Sequence, residues 1–383
     1  MKPIFFYGTL RDRVLLGLVV GRKLAPEEAS EARAPGYRAW RVAGQAYPML
    51  RSVEDGVAEG LLFRPAGPED IAALIFYEEE EYALQPLSVE TAAGQEAAET
   101  FAATERLAPG GEPWDFERWW REDRAVAMEA ARELMPHRAT LDMRAINTVW
   151  PGIMNRARQR ARAAASTPVL GSVRTGFRLE EDVRWVSHEN AYTSYLSVEE
   201  HRLEHRRFDG GWCGPIGRTT VAWGDAVTVL PYDPVRDRVL MIEQFRAAAA
   251  ARHDPNPWCI EVPAGRIDAD EDDETALRRE AEEEAGVTLG RIERLPGYYP
   301  TPGLASEHLG AYLAEADLPD GTGGHFGVAH EHEDIRAFVL GFEEAMAALR
   351  AGAVNTGPAQ ILLLWLAVER ARLRRDWAGP RPA

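Results

Sequence analysis

The chain has 383 residues, with 44 Lys+Arg against 61 Asp+Glu and a formal net charge of −17. At roughly 150 residues per domain that is about 2.6 domain lengths, which excludes one small core and suits two domains with a linker or three small ones. The acidic balance argues against binding nucleic acid through the overall field, a 45% hydrophobic fraction with 11 Trp excludes whole-chain disorder, and 2 Cys exclude a disulfide framework or a Cys-rich zinc site.

The opening stretch from Met1 is apolar but interrupted by Tyr7-Gly8-Thr9 and Arg11-Asp12-Arg13, so it does not read as a signal peptide. No window approaches the ~18 apolar residues of a membrane span, and a soluble cytoplasmic protein is expected. Residues 1–105 read as a small α+β unit. A short strand ends at the Gly8 turn, a second runs from Gly56 to Phe63, and a helix covers Asp70 to Tyr77, followed by Glu78 to Glu81. Residues 106–168 read as a helical connector, with Trp114, Phe116, Trp119 and Trp120 near its start and Ala163 to Pro168 as a linker at its end. Arg156, Arg158, Arg160 and Arg162 alternate by two, which spreads them around a helix and predicts local solvation, with pairing to the acidic remainder, rather than a nucleic-acid stripe. Residues 169–383 turn to strands at Val183–Ser187, Ser194–Val198, Ala226–Pro231 and Val239–Phe245, with helices at 274–285 and 358–373.

One segment carries chemistry. Glu280, Glu283 and Glu284 are spaced i, i+3, i+4 and share a helix face. Like charges at that spacing repel, so a cation should sit there. Oxygen ligands without nearby Cys or His favour Mg²⁺ or Mn²⁺ over zinc. The competing reading is an acidic face that is simply solvated. Gly286 supplies a helix stop.

Gly265, Glu271, Arg279, Glu280, Ala281, Glu283, Glu284, Gly286 and Val287 match the Nudix box, Gly-x5-Glu-x7-Arg-Glu-apolar-x-Glu-Glu-x-Gly-apolar, at every specified position. The segment therefore resembles Nudix hydrolases, which use divalent metal to cleave a nucleoside diphosphate linked to another moiety. The resemblance implies that Glu280 and Glu284 are metal ligands, Glu283 a ligand or a group behind the ligands, Arg279 the orienter of a ligand carboxylate, and the Ala264 carbonyl a further ligand.

The flanks narrow the likeness. Ile242 to Arg246, Pro257 to Gly265, Tyr299 to Gly303, Ser306-Glu307, Glu331 to Ile335 and Asn355 to Ala359 follow in an order similar to bacterial ADP-ribose pyrophosphatases. Pro302, sixteen residues beyond Gly286, stands at that group's marker proline. The resemblance implies a catalytic base in the late acidic loop, Glu333 first and Glu331 second. It makes Arg246 a phosphate clamp, Arg218 a weaker candidate for the same work and Glu261 an adenine contact or an acid beside a strand. His330 and His332 read as bystanders. It also implies a homodimer and hydrolysis of ADP-ribose with Mg²⁺ or Mn²⁺; no nucleic-acid or membrane partner is expected, from the acidic charge and the lack of an apolar span. A GDP-mannose-type hydrolase and a ligand-sensing module are the alternatives.

At the other end, Tyr7-Gly8-Thr9-Leu10, Tyr47 to Leu50, Glu59 to Leu62, and Glu78 with Tyr82 resemble γ-glutamylcyclotransferase-like domains. That implies a loop of backbone N–H groups at Tyr7, Gly8, Thr9 and Leu10 that binds substrate, with Glu78 as the acid/base. Ile75 and Glu79 depart from the family pattern of Asp and Gly at those places. The combination is similar to tellurite-resistance-associated fusion proteins. The expected fold is an α+β cyclotransferase-like barrel, then an α/β/α Nudix sandwich with an added N-terminal β-sheet.

Overall fold

A computed structural model describes residues 1–167, 173–268, 271–377 and 379. Pro168, the expected linker end, and Ala269 and Asp270 inside the box lie outside the described residues, as do the side chains of Glu79 and His330. The chain divides into two compact units, Met1–Asp182 with Asn190–Tyr195, and Val183–Glu189 with Leu196–Ala383. No described helix is long and apolar enough to cross a membrane.

The first unit runs β1 (Ile4–Phe6), α1 (Arg13–Val19), β2 (Ala29–Val42), β3 (Pro48–Phe63), α2 (Pro68–Glu78), β4 (Tyr82–Thr91), β5 (Gly94–Ala103), β6 (Pro109–Pro113), α3 (Phe116–Glu122), α4 (Arg124–Leu134) and α5 (Met143–Ala165). Its strands lie in the order β3-β1-β5-β4-β2, and β2 pairs back onto β3, so five strands close a barrel with β6 along β2. Closure leaves no long apolar edge. The period-2 rule then sorts the side chains. Phe5 and, just past β1, Tyr7 join Ala32, Ala58, Leu62, Leu87 and Val89 of the other strands in one cluster. Ile4 and Phe6 point the other way, against Leu15 and Leu16 of α1, Leu74 of α2, Trp119 of α3 and Met128 of α4.

That last cluster corrects the reading of residues 106–168 as a connector. α3 and α4 supply core to the barrel unit, and α5 packs Ile146, Val149 and Ile153 against Phe76, Ala130 and Leu134. The reason is apolar periodicity: Trp119 and the α4 stripe need a partner surface, and the barrel is the one present. In the Arg series the departure is the burial of Arg156. Arg156 is fully buried. Its guanidinium donates to Glu133 Oε1 at 2.8 and 2.6 Å and to the carbonyls of Ser194 and Tyr195 at 3.3 and 3.1 Å, while Arg160 holds Glu133 Oε2 at 2.9 Å. Internal acceptors replace the expected solvent.

The first unit also holds α6 (Leu179–Asp182); the second begins with β7 (Val183–Thr193, of which Val183–Glu189 belong to this unit), β8 (Ser197–Arg206) and β9 (Trp212–Ala222), a three-stranded sheet in that order. The strand expected at Ser194–Val198 therefore starts later and runs further. The rest is β10 (Ala226–Asp233), β11 (Arg238–Phe245), α7 (Ala247–Ala251), β12 (Trp258–Glu261), β13 (Ala264–Arg266), α8 (Asp273–Ala285), β14 (Ile292–Tyr298), β15 (Leu309–Glu315), β16 (Gly323–Phe326), β17 (Ile335–Gly341), α9 (Phe342–Arg350) and α10 (Gly357–Trp377). The large sheet runs β14-β15-β10-β11-β17-β16, with β12 on β11 and β13 on β10. The β10–β15 pair is parallel.

β10 is buried along its whole length, as a strand covered on both faces must be. Val227, Val229, Leu240 and Ile242 face α8 through Ala276, Leu277, Ala281 and Ala285. Leu230, Tyr232, Val239 and Met241 face α9 and α10 through Phe342, Met346, Leu362 and Leu366. This is the expected α/β/α sandwich with an added N-terminal sheet.

The buried pair yields a stability prediction. Glu133→Ala strands a buried guanidinium and should cost about 3–5 kcal/mol, whereas the double replacement Glu133→Leu with Arg156→Met should cost far less. Urea unfolding of both variants checks it; equal losses would contradict this account.

Candidate functional site

α8 is positioned at both ends by its own sequence. Asp272 caps the start, its carboxylate accepting from Thr275 N at 2.8 Å. Gly286 ends it in the left-handed conformation at φ 64°, and a Cβ there would lie 2.4 Å from Phe326. Ala276, Leu277, Ala281 and Ala285 bury one stripe against the sheet. The small Ala281 lets the helix approach closely, and that approach carries its acidic residues under cover.

Glu284 is 3% exposed, and its Oε2 accepts from Ala264 N on β13 at 2.9 Å. Glu280 lies over the neighbouring Gly265, where any Cβ would sit 1.7 Å from Glu280 Oε1. The glycine is required because the carboxylate occupies the side-chain space. Arg279 binds three acids. It donates to Glu271 through Nε and Nη2 at 2.7 and 2.8 Å, to Glu280 at 2.7 Å and to Glu283 at 3.1 Å, and its Nη2 also reaches the Arg266 carbonyl at 3.1 Å. The sequence singled out Arg279 as an orienter of a carboxylate. It did not show that Glu271, eight residues earlier, is the fork that fixes the guanidinium.

The late loop joins this centre. Gly327 N donates to the Glu283 carbonyl at 3.1 Å, tying the loop to α8. Val328 N donates to Glu333 Oε2 at 3.2 Å. Glu333 is close enough to act electrostatically on both Glu280 and Glu284. Glu331 ends a short turn and is exposed, and His332 takes a left-handed φ of 58° there.

The charge balance is unfavourable without a cation. Burial, with repulsion from Glu283 and Glu333 and only partial relief from Arg279, pushes the Glu280 carboxyl up to about 7. Glu284 is raised too, mainly by burial and then by Glu280 and Glu333, against the pull of the Ala264 N–H. Buried carboxylates of one sign beside a glycine-lined floor are a donor set for a hard divalent cation. Glu280, Glu284, Glu283 and the Ala264 carbonyl are the groups that could hold one.

The remaining expected residues are placed as follows. Arg246 and Glu261 form a two-pronged pair, Nε to Oε1 at 2.8 Å and Nη2 to Oε2 at 2.7 Å, between the ends of β11 and β12. The sequence assigned them separate contacts; the structure joins them. Arg218 is exposed on β9 and donates to the Gly217 carbonyl, with no bond to a box residue among the described residues.

In the first unit, Tyr7 is buried with its hydroxyl donating to the Phe101 carbonyl at 2.8 Å. Gly8 presses against Pro48, which a Cβ would meet at 2.7 Å. Thr9–Arg11 form a tight turn whose own bonds are made by the Arg11 and Asp12 amides, and Leu10 is buried. Tyr82 donates to the Pro48 carbonyl at 2.7 Å, and Tyr47 to Glu81 Oε2 at 2.8 Å. Glu78 acts on both Tyr7 and Tyr82, whose hydroxyls are raised chiefly by burial. The loop and the acid are thus brought to one place.

Comparison with known proteins agrees with both geometries. A family model of the NUDIX domain matches residues 222–361, and one described as gamma-glutamyl cyclotransferase, AIG2-like, matches residues 4–122. An ADP-ribose pyrophosphatase of Escherichia coli (strain K12) is 35% identical over 199 residues, 52% of this chain and 94% of the relative. The chain belongs to the Nudix hydrolase family. A second ADP-ribose pyrophosphatase, from Haemophilus influenzae, is 30% identical over 200 residues, 52% of this chain and 92% of the relative. A GDP-mannose pyrophosphatase of Pectobacterium atrosepticum is 36% identical over 171 residues, 44% of this chain and 86% of the relative. This Nudix hydrolase therefore carries a complete Nudix unit behind a cyclotransferase-like barrel unit.

The raised Glu280 carboxyl has a thermodynamic signature. A carboxyl raised by folding contributes stability that is full below its unfolded pKa, about 4.5, and lost as pH rises through about 7. Metal-free protein should therefore lose stability across that window relative to Glu280→Gln, by on the order of 3 kcal/mol at pH 8. Adding Mg²⁺ at pH 7 should release protons. Melting curves of both proteins at pH 5 and pH 8, without metal, check the first expectation; parallel pH dependences would refute it.

Proposed function

We propose that the Nudix unit hydrolyses the pyrophosphate of ADP-ribose to AMP and ribose 5-phosphate with Mg²⁺ or Mn²⁺. The observation that carries the reading is buried Glu284 beside the part-buried Glu280, which Arg279 holds, with Glu333 in their field, in a chain spanning 94% of an ADP-ribose pyrophosphatase. A bound divalent ion would neutralise the diphosphate and lower the pKa of a water. Glu280 and Glu284, with Glu283 beside them and the Ala264 carbonyl, would hold it. Arg279 holds Glu280 in place from the side, so that carboxylate cannot turn away to solvent.

Glu333 takes the proton of the attacking water in this reading, since its charge acts on Glu280 and Glu284 and its loop is pinned to α8. Glu331, exposed at the turn, is second. Arg246 meets a substrate phosphate by loosening from Glu261, because a guanidinium fork matches phosphate as it matches carboxylate. Freed Glu261 is then available to the base. Arg218 stays a weaker phosphate candidate, reached through a partner chain in a homodimer. Nucleotide sugars and the cytoplasm complete this reading.

A second reading has its own observation. GDP-mannose pyrophosphatases match at similar identity but over less of their length. A panel of ADP-ribose, GDP-mannose and other sugar nucleotides with Mg²⁺ decides between them. Glu333→Gln should lower kcat by about 10²–10⁴, with a smaller loss for Glu331→Gln, and Glu284→Gln should abolish metal-dependent turnover. Cleavage of GDP-mannose alone, or full activity in Glu284→Gln, would overturn the ADP-ribose reading.

For the barrel unit, we propose γ-glutamyl cyclisation to 5-oxoproline with Glu78 as acid/base and the Tyr7–Leu10 loop as oxyanion cradle. Ile75, half exposed on α2, stands where an acid was expected. The test uses the whole chain, because α3 and α4 belong to this unit's core. Release of 5-oxoproline from γ-glutamyl peptides should vanish in Glu78→Gln; no release by the native chain would refute the proposal.

A further inference from the structure

We propose that His188, Glu199 and His201 form a zinc site on the three-stranded sheet of the second unit, separate from the acidic box. The observation is geometric. His188 comes from β7, while Glu199 and His201, two residues apart on β8, share one face of the strand. One ligand atom from each lies within 4.8 Å of the others. Glu199 Oε2 is 3.5 Å from His188 Nε2 and 3.7 Å from His201 Nε2. With metal–ligand bonds of about 2.0–2.1 Å, tetrahedral zinc ligands sit about 3.3 Å apart, so small side-chain adjustments suffice.

The surroundings suit a site of this kind. Glu199 is 6% exposed, and Ser197 Oγ donates to its Oε1 at 3.0 Å, while its Oε2 is the atom near both rings. A group behind the ligand that fixes its orientation is the usual support of a metal carboxylate. Trp185 lies edge-on to His201 with ring centroids 5.4 Å apart, walling one side. The His188 and His201 rings are 4.9 Å apart between centroids. Thr220 Oγ1, from the residue paired with Glu199 on β9, is 2.8 Å from His201 Nε2 and would give up that bond. Arg218, paired with His201, directs its guanidinium to the Gly217 carbonyl.

The donor set also selects the ion. Two imidazoles and one carboxylate suit zinc among borderline metals, whereas magnesium prefers oxygen throughout. Three protein ligands leave a fourth position to water, and His188 is half exposed, so the ion can enter. Its consequence is mechanical: it ties β7 to β8.

The test is equilibrium dialysis of the chelator-treated full chain against zinc alone, in excess Mg²⁺, with melting curves. One zinc per chain and a higher melting temperature are expected. His188→Ala, an exposed change that folding tolerates, should weaken zinc binding by more than about a hundredfold, above the roughly 10–100-fold that loss of an outer partner costs. Glu199→Gln should do the same. The zinc equivalent should persist in a Glu280→Gln, Glu284→Gln background, which separates it from the box and from the hydrolase reading. With cobalt substituted, four-coordinate visible bands should appear and vanish in His188→Ala. Unchanged zinc affinity in His188→Ala, or loss of the zinc only in the box variant, would overturn the proposal.

Discussion

The candidate site depends on one constraint: an acidic helix face must be buried against a strand that has no side chain to spare. α8 approaches β13 because Ala276, Ala281 and Ala285 are small. At that separation Glu280 fills the space over Gly265 and Glu284 meets the Ala264 amide. The burial concentrates negative charge, and Arg279 relieves part of it through Glu271, Glu280 and Glu283. What remains is an excess of negative charge at the site.

The other elements serve that constraint. The parallel β10–β15 pair, covered on both faces, provides the rigid floor from which β13 hangs. The loop carrying Glu333 returns to the same place because Gly327 bonds to the last turn of α8 and adopts a φ of 112° that side chains avoid. The barrel unit uses a different economy. Five strands close on themselves, and the acid at the end of α2 meets the Tyr7 loop because both belong to the same closed barrel and its covering helices.

Much of the fold was legible because its signals are local. The strand at Ala226–Pro231 is continuous apolar sequence, the helix at 274–285 has its cap and its Gly stop, and the box has a fixed spacing. The misread parts depended on partners distant in sequence. The stretch after residue 106 has the composition of a connector, yet Trp119 and Met128 are core because the barrel offers them a face. Arg156 has the composition of a solvated residue, yet Glu133, twenty-three residues earlier, and two carbonyls nearly forty residues later enclose it. The Arg246–Glu261 pair was read as two independent contacts because pairing across β11 and β12 has no linear signature.

The sequence alone determined the residue types and their periodicities: which acids share a helix face, where that helix starts and stops, and which strands alternate. Local geometry follows from these through short-range sterics and hydrogen bonds. Only the tertiary structure decided which charges lie buried beside one another, that Arg279 rests on Glu271, that Glu333 shares the field of Glu280 and Glu284, and that two histidines and a glutamate converge on the small sheet. Those facts depend on long-range contacts, whose energies come from burial and from charge separations of a few ångströms, and chain spacing does not encode them.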